Sequence, residues 1–207
     1  MSLEHAILGF LSYEPLTGYD LKKFFDRSVA HFWAADQSQI YRTLTRMEQN
    51  GWVQVEVVPQ EPRPPRKVYS ITATGQAELQ SWLLTAQSSE PTRLAWLIQV
   101  FFAGQVDNAQ AAQILRNQAD ALRARLQRYA RIPNEDMQSI QPDEDPRQVF
   151  FWTLTVEYGI VQLQSQLAWI EQALARLERA DYQPRVGELL QDFFSKETSV
   201  RDKRPEG

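Results

Sequence analysis

Over the first half of the chain the spacing of apolar positions changes from a helical period to an alternating one, and each change marks an element. Leu3, Ala6, Ile7, Phe10 and Leu11 form one stripe of a helix that Ser2 can cap. Pro15-Leu16-Thr17-Gly18 interrupts it. Thr17 caps a second predicted helix to about Val29, with Leu21, Phe24, Phe25 and Tyr19 as its apolar surface. A linker with His31, Phe32 and Trp33 leads to a third helix, capped by Asp36 and stopped at Asn50-Gly51. There Ile40, Leu44 and Met47 recur at steps of four and three. Gln37, Ser38, Tyr41, Arg42 and Thr45 are therefore left on other faces.

After Gly51 the period drops to two. Val53, Val55 and Val57 alternate with Gln54 and Glu56, as in a strand covered on one face. Pro59-Gln-Glu-Pro-Arg-Pro-Pro65 has four prolines without donors and predicts a loop tip. Arg66 to Ile71 returns as a second strand, on which Tyr69 is expected half in the core with its hydroxyl outward. Thr74 is the expected cap of a fourth helix bearing Ala77, Leu79, Trp82 and Leu83.

The second half is patterned for long helices. Pro91 opens a helix with Leu94, Trp96, Leu97, Ile98, Val100, Phe101 and Phe102, closed by Gly104. Asn108 caps a longer one whose Ala112, Leu115, Ala119, Leu122, Leu126 and Tyr129 keep steps of three and four. Beyond a proline- and acid-rich stretch, 133–145, Val149, Thr153, Val156, Ile160, Leu163, Leu167, Ile170, Leu174 and Leu177 continue that alternation. A helix over 147–179 would be about 50 Å long. Two such seams predict an antiparallel hairpin. Phe150, Phe151, Trp152, Trp169 and Ala173 widen the second face beyond what one helix covers, so a second subunit is expected. Leu115, Leu122, Leu126, Ile160, Leu163, Leu167, Ile170 and Leu174 are the expected dimer interface. Val186, Leu189, Leu190, Phe193 and Phe194 suggest a last short helix before a charged tail expected to be disordered.

The fold class expected is thus mainly α: a winged helix-turn-helix over 1–88, a helical dimerisation and effector domain over 91–180 with an antiparallel coiled coil, and a short helix with tail over 181–207. Cysteine is absent, which removes disulfides and thiolate metal sites. The start of the chain has an acid where a signal peptide carries basic residues, and its apolar run is too short to span a bilayer. A soluble cytoplasmic protein without a membrane partner is the expectation. No phosphate-binding glycine loop, nucleophile elbow or zinc spacing is legible, so neither an enzyme nor a cofactor or metal is expected. His5 and His31 read as packing or hydrogen-bonding residues.

A compact third helix with amides, hydroxyls and guanidinium groups outward is what reading base edges in the DNA major groove requires. Charge opposes this at domain level: residues 1–88 hold eight Lys/Arg against nine Asp/Glu, and the whole chain is at −4. Contacts to double-stranded DNA must rest on a few placed groups. Gln37, Ser38, Gln39, Tyr41, Arg42 and Arg46 on the helix and Arg63, Arg66 and Lys67 on the wing are the candidates. Arg46 competes with pairing to an acid, and the wing cations with simple solvation. Trp96, Phe101, Phe150 and Trp152 are candidates for an effector pocket, weighed against ordinary core packing.

Gln39-Ile-Tyr-Arg-Thr-Leu-Thr-Arg-Met-Glu-Gln-Asn-Gly51, followed by a hairpin ending Arg66-Lys-Val-Tyr-Ser-Ile-Thr-Ala-Thr-Gly75, resembles the PadR family of winged-helix transcriptional regulators. Gly9 in the first helix and Thr17-Gly-Tyr-Asp20 at the second agree. Ser38-Gln39 and Arg42 stand where the shorter family pattern has Gly-Thr and a proline. Phe101-Phe102-Ala-Gly104, Glu157-Tyr-Gly159 and Trp169-Ile170 resemble the C-terminal region of long members. The resemblance implies a homodimeric DNA-binding regulator, a repressor, on a palindromic operator, with an aromatic or phenolic effector in some members. The rival reading is a protein-interaction adaptor that uses the winged helix without DNA.

Overall fold

The computed structural model describes residues 2–30, 32–62, 65–87, 93–130 and 145–201. His31, Arg63, Pro91, the 133–144 stretch, the side chains of Phe193 and Phe194, and the tail beyond 201 lie outside the described residues. Two compact units emerge, residues 1–93 with 126–162 and residues 94–125 with 163–207. The helix over 108–130 divides after Arg125 and the helix over 146–178 after Gln162, so both contribute to both units.

In the first unit α1 (Ser2–Leu11), α2 (Gly18–Ser28) and α3 (Gln37–Gln49) surround a core of Ile7, Leu8, Leu21, Phe25, Ile40, Leu44 and Met47, all fully buried. Thr17 caps α2 by accepting from Asp20 N–H at 3.1 Å. Gly51 ends α3 with φ of 70°, a left-handed turn that glycine adopts without a Cβ clash. β2 (Val53–Val58) and β3 (Arg66–Ile71) pair antiparallel, with Val55 opposite Tyr69. A strand not expected from the pattern, β1 (Leu16–Thr17), adds to the other edge of β3, giving the order β1-β3-β2. Two residues are too short for any periodicity to reveal.

Several expectations change here. Val57 is 56% exposed and Val58 half-buried, so the inward alternation slips near the loop tip, where the hairpin has left the core. Tyr69 is buried, because β1 and β2 flank it on both sides. The cap of α4 (Ala73–Leu84) is Thr72, whose hydroxyl accepts from Gly75 N–H at 3.0 Å, and not Thr74. Ala77 and Leu83 of α4 are exposed; Leu79 packs on the core and Trp82 on His5. His5 is buried, stacked on Trp82 with ring centroids 4.7 Å apart, and bonds to Glu78 at 3.1 Å.

The second unit holds α5 (Ala95–Phe101), which begins four residues later than Pro91 predicted, and a 3-10 turn (Ala103–Gln105). α6 (Asn108–Ala130) and α7 (Pro146–Glu178) run antiparallel: Arg123 donates to Glu171 Oε1 at 3.0 Å, and Arg116 lies 3.9 Å from Glu178. The first turn of α6 is capped by Asp107, which accepts from Gln110 N–H at 2.8 Å, not by Asn108. Asn108 instead donates to the Tyr182 hydroxyl at 2.8 Å. In the first unit the far end of the hairpin closes with Tyr129 against Gly159, where an added Cβ would meet the phenol oxygen at 2.1 Å. α8 (Val186–Arg201) leaves Val186, Leu189 and Leu190 more than half exposed.

Of the residues expected at a dimer interface, Leu115, Leu122, Leu163 and Ile170 are buried within the chain, and Leu126, Ile160, Leu167 and Leu174 are half-buried. Leu122 and Ile170 are at 1% and 0% exposure, and Leu115 and Leu163 at 4% and 3%. A side chain already out of water gains nothing more from a second subunit. Exposed apolar surface on these helices includes Leu97, Ile98, Phe101 and Phe102 in one unit and Phe150, Phe151, Tyr158 and Val161 in the other.

Candidate nucleic-acid interface

The outer face of α3 is built by exclusion. With Ile40, Thr43, Leu44 and Met47 buried, Gln37, Ser38, Gln39, Tyr41, Arg42, Thr45 and Arg46 are exposed. Their side chains are not equally free. The Gln39 amide oxygen accepts from Asp36 N–H at 3.1 Å, completing a capping box, so its primary hydrogen bond is intramolecular. Arg42 Nε donates to Ser38 O at 3.3 Å, which lays the guanidinium along the first turn. Arg46 pairs with the buried carboxylate of Glu4 in α1. The Thr45 hydroxyl donates to Tyr41 O at 3.1 Å.

Tyr41 lies over the start of α2. A Cβ on Gly18 would come within 2.5 Å of its Cε1, so the glycine creates the room for the ring. This brings Tyr41 and Thr45 to one wall of a groove of about 630 Å³, opposite Arg66 and Lys67 of the wing and beside Thr17 and Tyr19. Tyr69 forms part of its lining, and burial, then Glu48 and Tyr41, pushes its phenol above the ordinary value. The groove thus sets two wing cations and the phenols of Tyr19 and Tyr41, donors suited to phosphate oxygens, beside the Asp20 carboxylate, which accepts from the Thr17 hydroxyl at 2.7 Å. Arg42 and Arg46 face a second groove with Trp33 and Gln39.

Sequence reasoning missed Tyr19 and Lys23. Tyr19 reads as apolar surface on α2, yet it is 56% exposed, with Lys23 Nζ 4.4 Å from its ring centre. Their step of four on the helix was the available signal. The aromatic candidates for an effector pocket are divided between the two units. Trp96 meets Trp169 in one unit, with Phe101 at 80% exposure beside Phe102; Trp152 meets Tyr13 in the other, with Phe150 against Phe151. Among the described residues no cluster of His, Cys, Asp and Glu could hold a metal, and no helix is long and apolar enough to cross a membrane.

Known proteins share this architecture. The model of the transcriptional regulator PadR-like family matches residues 7–81, and that of the virulence activator alpha C-terminal region matches 92–178. A probable transcriptional regulator of Mycobacterium tuberculosis is 48% identical over 93 residues, 45% of this chain and 48% of that protein. The chain therefore matches about half the length of that relative. The negative transcriptional regulator PadR of Bacillus subtilis is 25% identical over 178 residues, 86% of this chain and 98% of that one. Its crystal structure with operator DNA superposes with a TM-score of 0.74 at 24% identity, covering 86% and 99% of the two chains. The Vibrio cholerae virulence activator AphA gives 0.66 at 27% identity, covering 86% and 99%. Two consecutive family matches, a winged helix and a long-helix hairpin in that order agree: residues 7–81 match the PadR-like family of transcriptional regulators, and residues 92–178 match the C-terminal helical region of virulence activators.

Proposed function

We propose that this chain is a homodimeric repressor that binds a palindromic operator through α3 and the wing. The observation that carries the reading is the groove in which Tyr41 and Thr45 of α3 face Arg66 and Lys67 of the wing. Base-edge contacts are assigned to Gln37, Ser38, Tyr41 and Arg42, and phosphate contacts to Arg66, Lys67 and Arg63. Gln39 and Arg46 act as positioning residues, since each is already bonded within the domain. The exposed apolar residues Phe101, Phe102, Phe150, Phe151 and Tyr158 supply surface for a second subunit, with the interface outside the buried seams. Repression is inferred from the name of the Bacillus relative, a negative regulator. A small aromatic effector is inferred because that relative has also been crystallised with p-coumaric acid.

The test is footprinting of the purified chain on the DNA upstream of its own gene, with sedimentation to give its mass. Protection of two half-sites by a dimer supports the reading; no protected sequence at any protein concentration overturns it. The net charge of −1 over residues 1–88 favours the adaptor alternative. Under that alternative, heparin and nonspecific DNA would fail to retain the protein at low salt.

A further inference from the structure

We propose that a cleft inside the second unit binds an uncharged, planar aromatic molecule carrying a carbonyl-type hydrogen-bond acceptor. This deepens the effector reading above by naming a site and a ligand class. The cleft measures about 550 Å³, within the roughly 300–1,000 Å³ of small-molecule sites. Its walls come from the 3-10 turn, the start of α6 and the last third of α7. Leu115, Val100 and Leu177 make an apolar lining, and the Trp169 ring offers a flat face. Small residues keep it open: a Cβ on Gly104 would have no atom within 4 Å.

Polar groups gather where the chain leaves α7. Ala180 adopts φ of 53°, a left-handed conformation disfavoured for a residue with a Cβ, and this turn brings Asp181 N–H to Arg176 O at 2.9 Å. Tyr182 then meets α6, where its oxygen accepts from Asn108. Because that bond uses a lone pair, the Tyr182 O–H remains a donor. Arg176 lines the cleft with its guanidinium already engaged: Nη2 donates to Gln183 O, and the buried Nε lies 3.5 Å from Asp181 Oδ2. The Tyr182 donor calls for an acceptor oxygen on the ligand. The ion pair with Asp181 already neutralises Arg176, so a carboxylate ligand would place two negative charges beside one positive. A neutral acceptor satisfies the Tyr182 O–H without that repulsion.

The decisive comparison is between 2-naphthamide and 2-naphthoate, which share a shape and differ in charge, titrated calorimetrically into the full chain without DNA. Saturable binding of the amide, with the acid at least about ten-fold weaker, is expected. Gly104→Leu, which fills open space, and Trp169→Ala, at a 44% exposed ring, should each weaken the amide by about ten-fold or more while thermal unfolding stays cooperative. Tyr182→Phe, which keeps the ring and loses the donor, should weaken it by about five-fold or more. Absence of saturable amide binding, equal affinity for the acid, or unchanged binding in Gly104→Leu each overturns the proposal. Because no DNA is present, a failure here is separate from a failure to bind an operator.

Discussion

Arg46, on the outer flank of the third helix, is held by the buried carboxylate of Glu4 in the first. The two residues are far apart in sequence and the pair ties the third helix to the core beneath it. Glu4 is at 6% side-chain exposure, and its second oxygen has no hydrogen bond among the described residues. Arg46→Ala would strand a buried carboxylate, at a cost of about 1–3 kcal/mol. Urea unfolding should show that loss, and Glu4→Met with Arg46→Met should recover most of it. An Arg46→Ala midpoint equal to wild type would show that water replaces the guanidinium without cost.

Arg42, in contrast, is bonded among the described residues to its own helix turn, by way of Ser38 O. Arg42→Ala is expected to abolish specific operator binding and leave the oligomeric mass unchanged. A gel-shift titration with unaltered specific affinity would remove Arg42 from the base contacts.

The wing cation Arg66 is assigned to phosphate, and phosphate contacts declare themselves through salt. In Arg66→Ala the slope of log affinity against log salt should be shallower by about one. A slope identical to that of the wild type would place Arg66 off the DNA backbone.

Two glycines in the first unit should respond to alanine with opposite signs. At Gly75 an added Cβ would lie 2.1 Å from the carbonyl oxygen of Trp52, an atom fixed by its bond from Thr72 N–H at 3.0 Å. Gly75→Ala must move backbone and should destabilise by about 2 kcal/mol or more. Gly9, within α1, has open space around the same position, so Gly9→Ala should stabilise by about 0.5–1 kcal/mol through helix propensity alone. Melting temperatures that shift in the same direction would refute the packing argument.

Burial of Tyr69 predicts an alkaline sensitivity. Its phenol is pushed above the ordinary value of 10.0, chiefly by desolvation. As pH rises past about 10 the unfolded chain releases this proton first. The folded form then binds more protons, so stability falls with rising pH. Below that pH both forms keep the proton and the contribution is constant. Tyr69→Phe should flatten this part of the curve; parallel wild-type and variant curves from roughly pH 9 to 11 would rule the coupling out.

The sequence by itself determined the order and type of the longer elements, though not of β1 or the 3-10 turn. Ile40, Leu44 and Met47 could face inward only if Arg42 and Tyr41 faced outward, and the two seams could be satisfied only by long antiparallel helices. These are local regularities, written in periods of 3.6 and 2. Tertiary structure decided what side chains do once distant segments meet. The capture of Arg46 by Glu4, the occupation of Gln39 in a cap, and the shelter that Gly18 gives Tyr41 left no trace in spacing. Nor could the pattern say whether Leu122 and Ile170 meet their own chain or another, because an apolar stripe specifies burial and not the partner that provides it. Asp181 and Tyr182 reach the cleft beside Trp169 after a left-handed turn at Ala180, a backbone choice that no alanine announces.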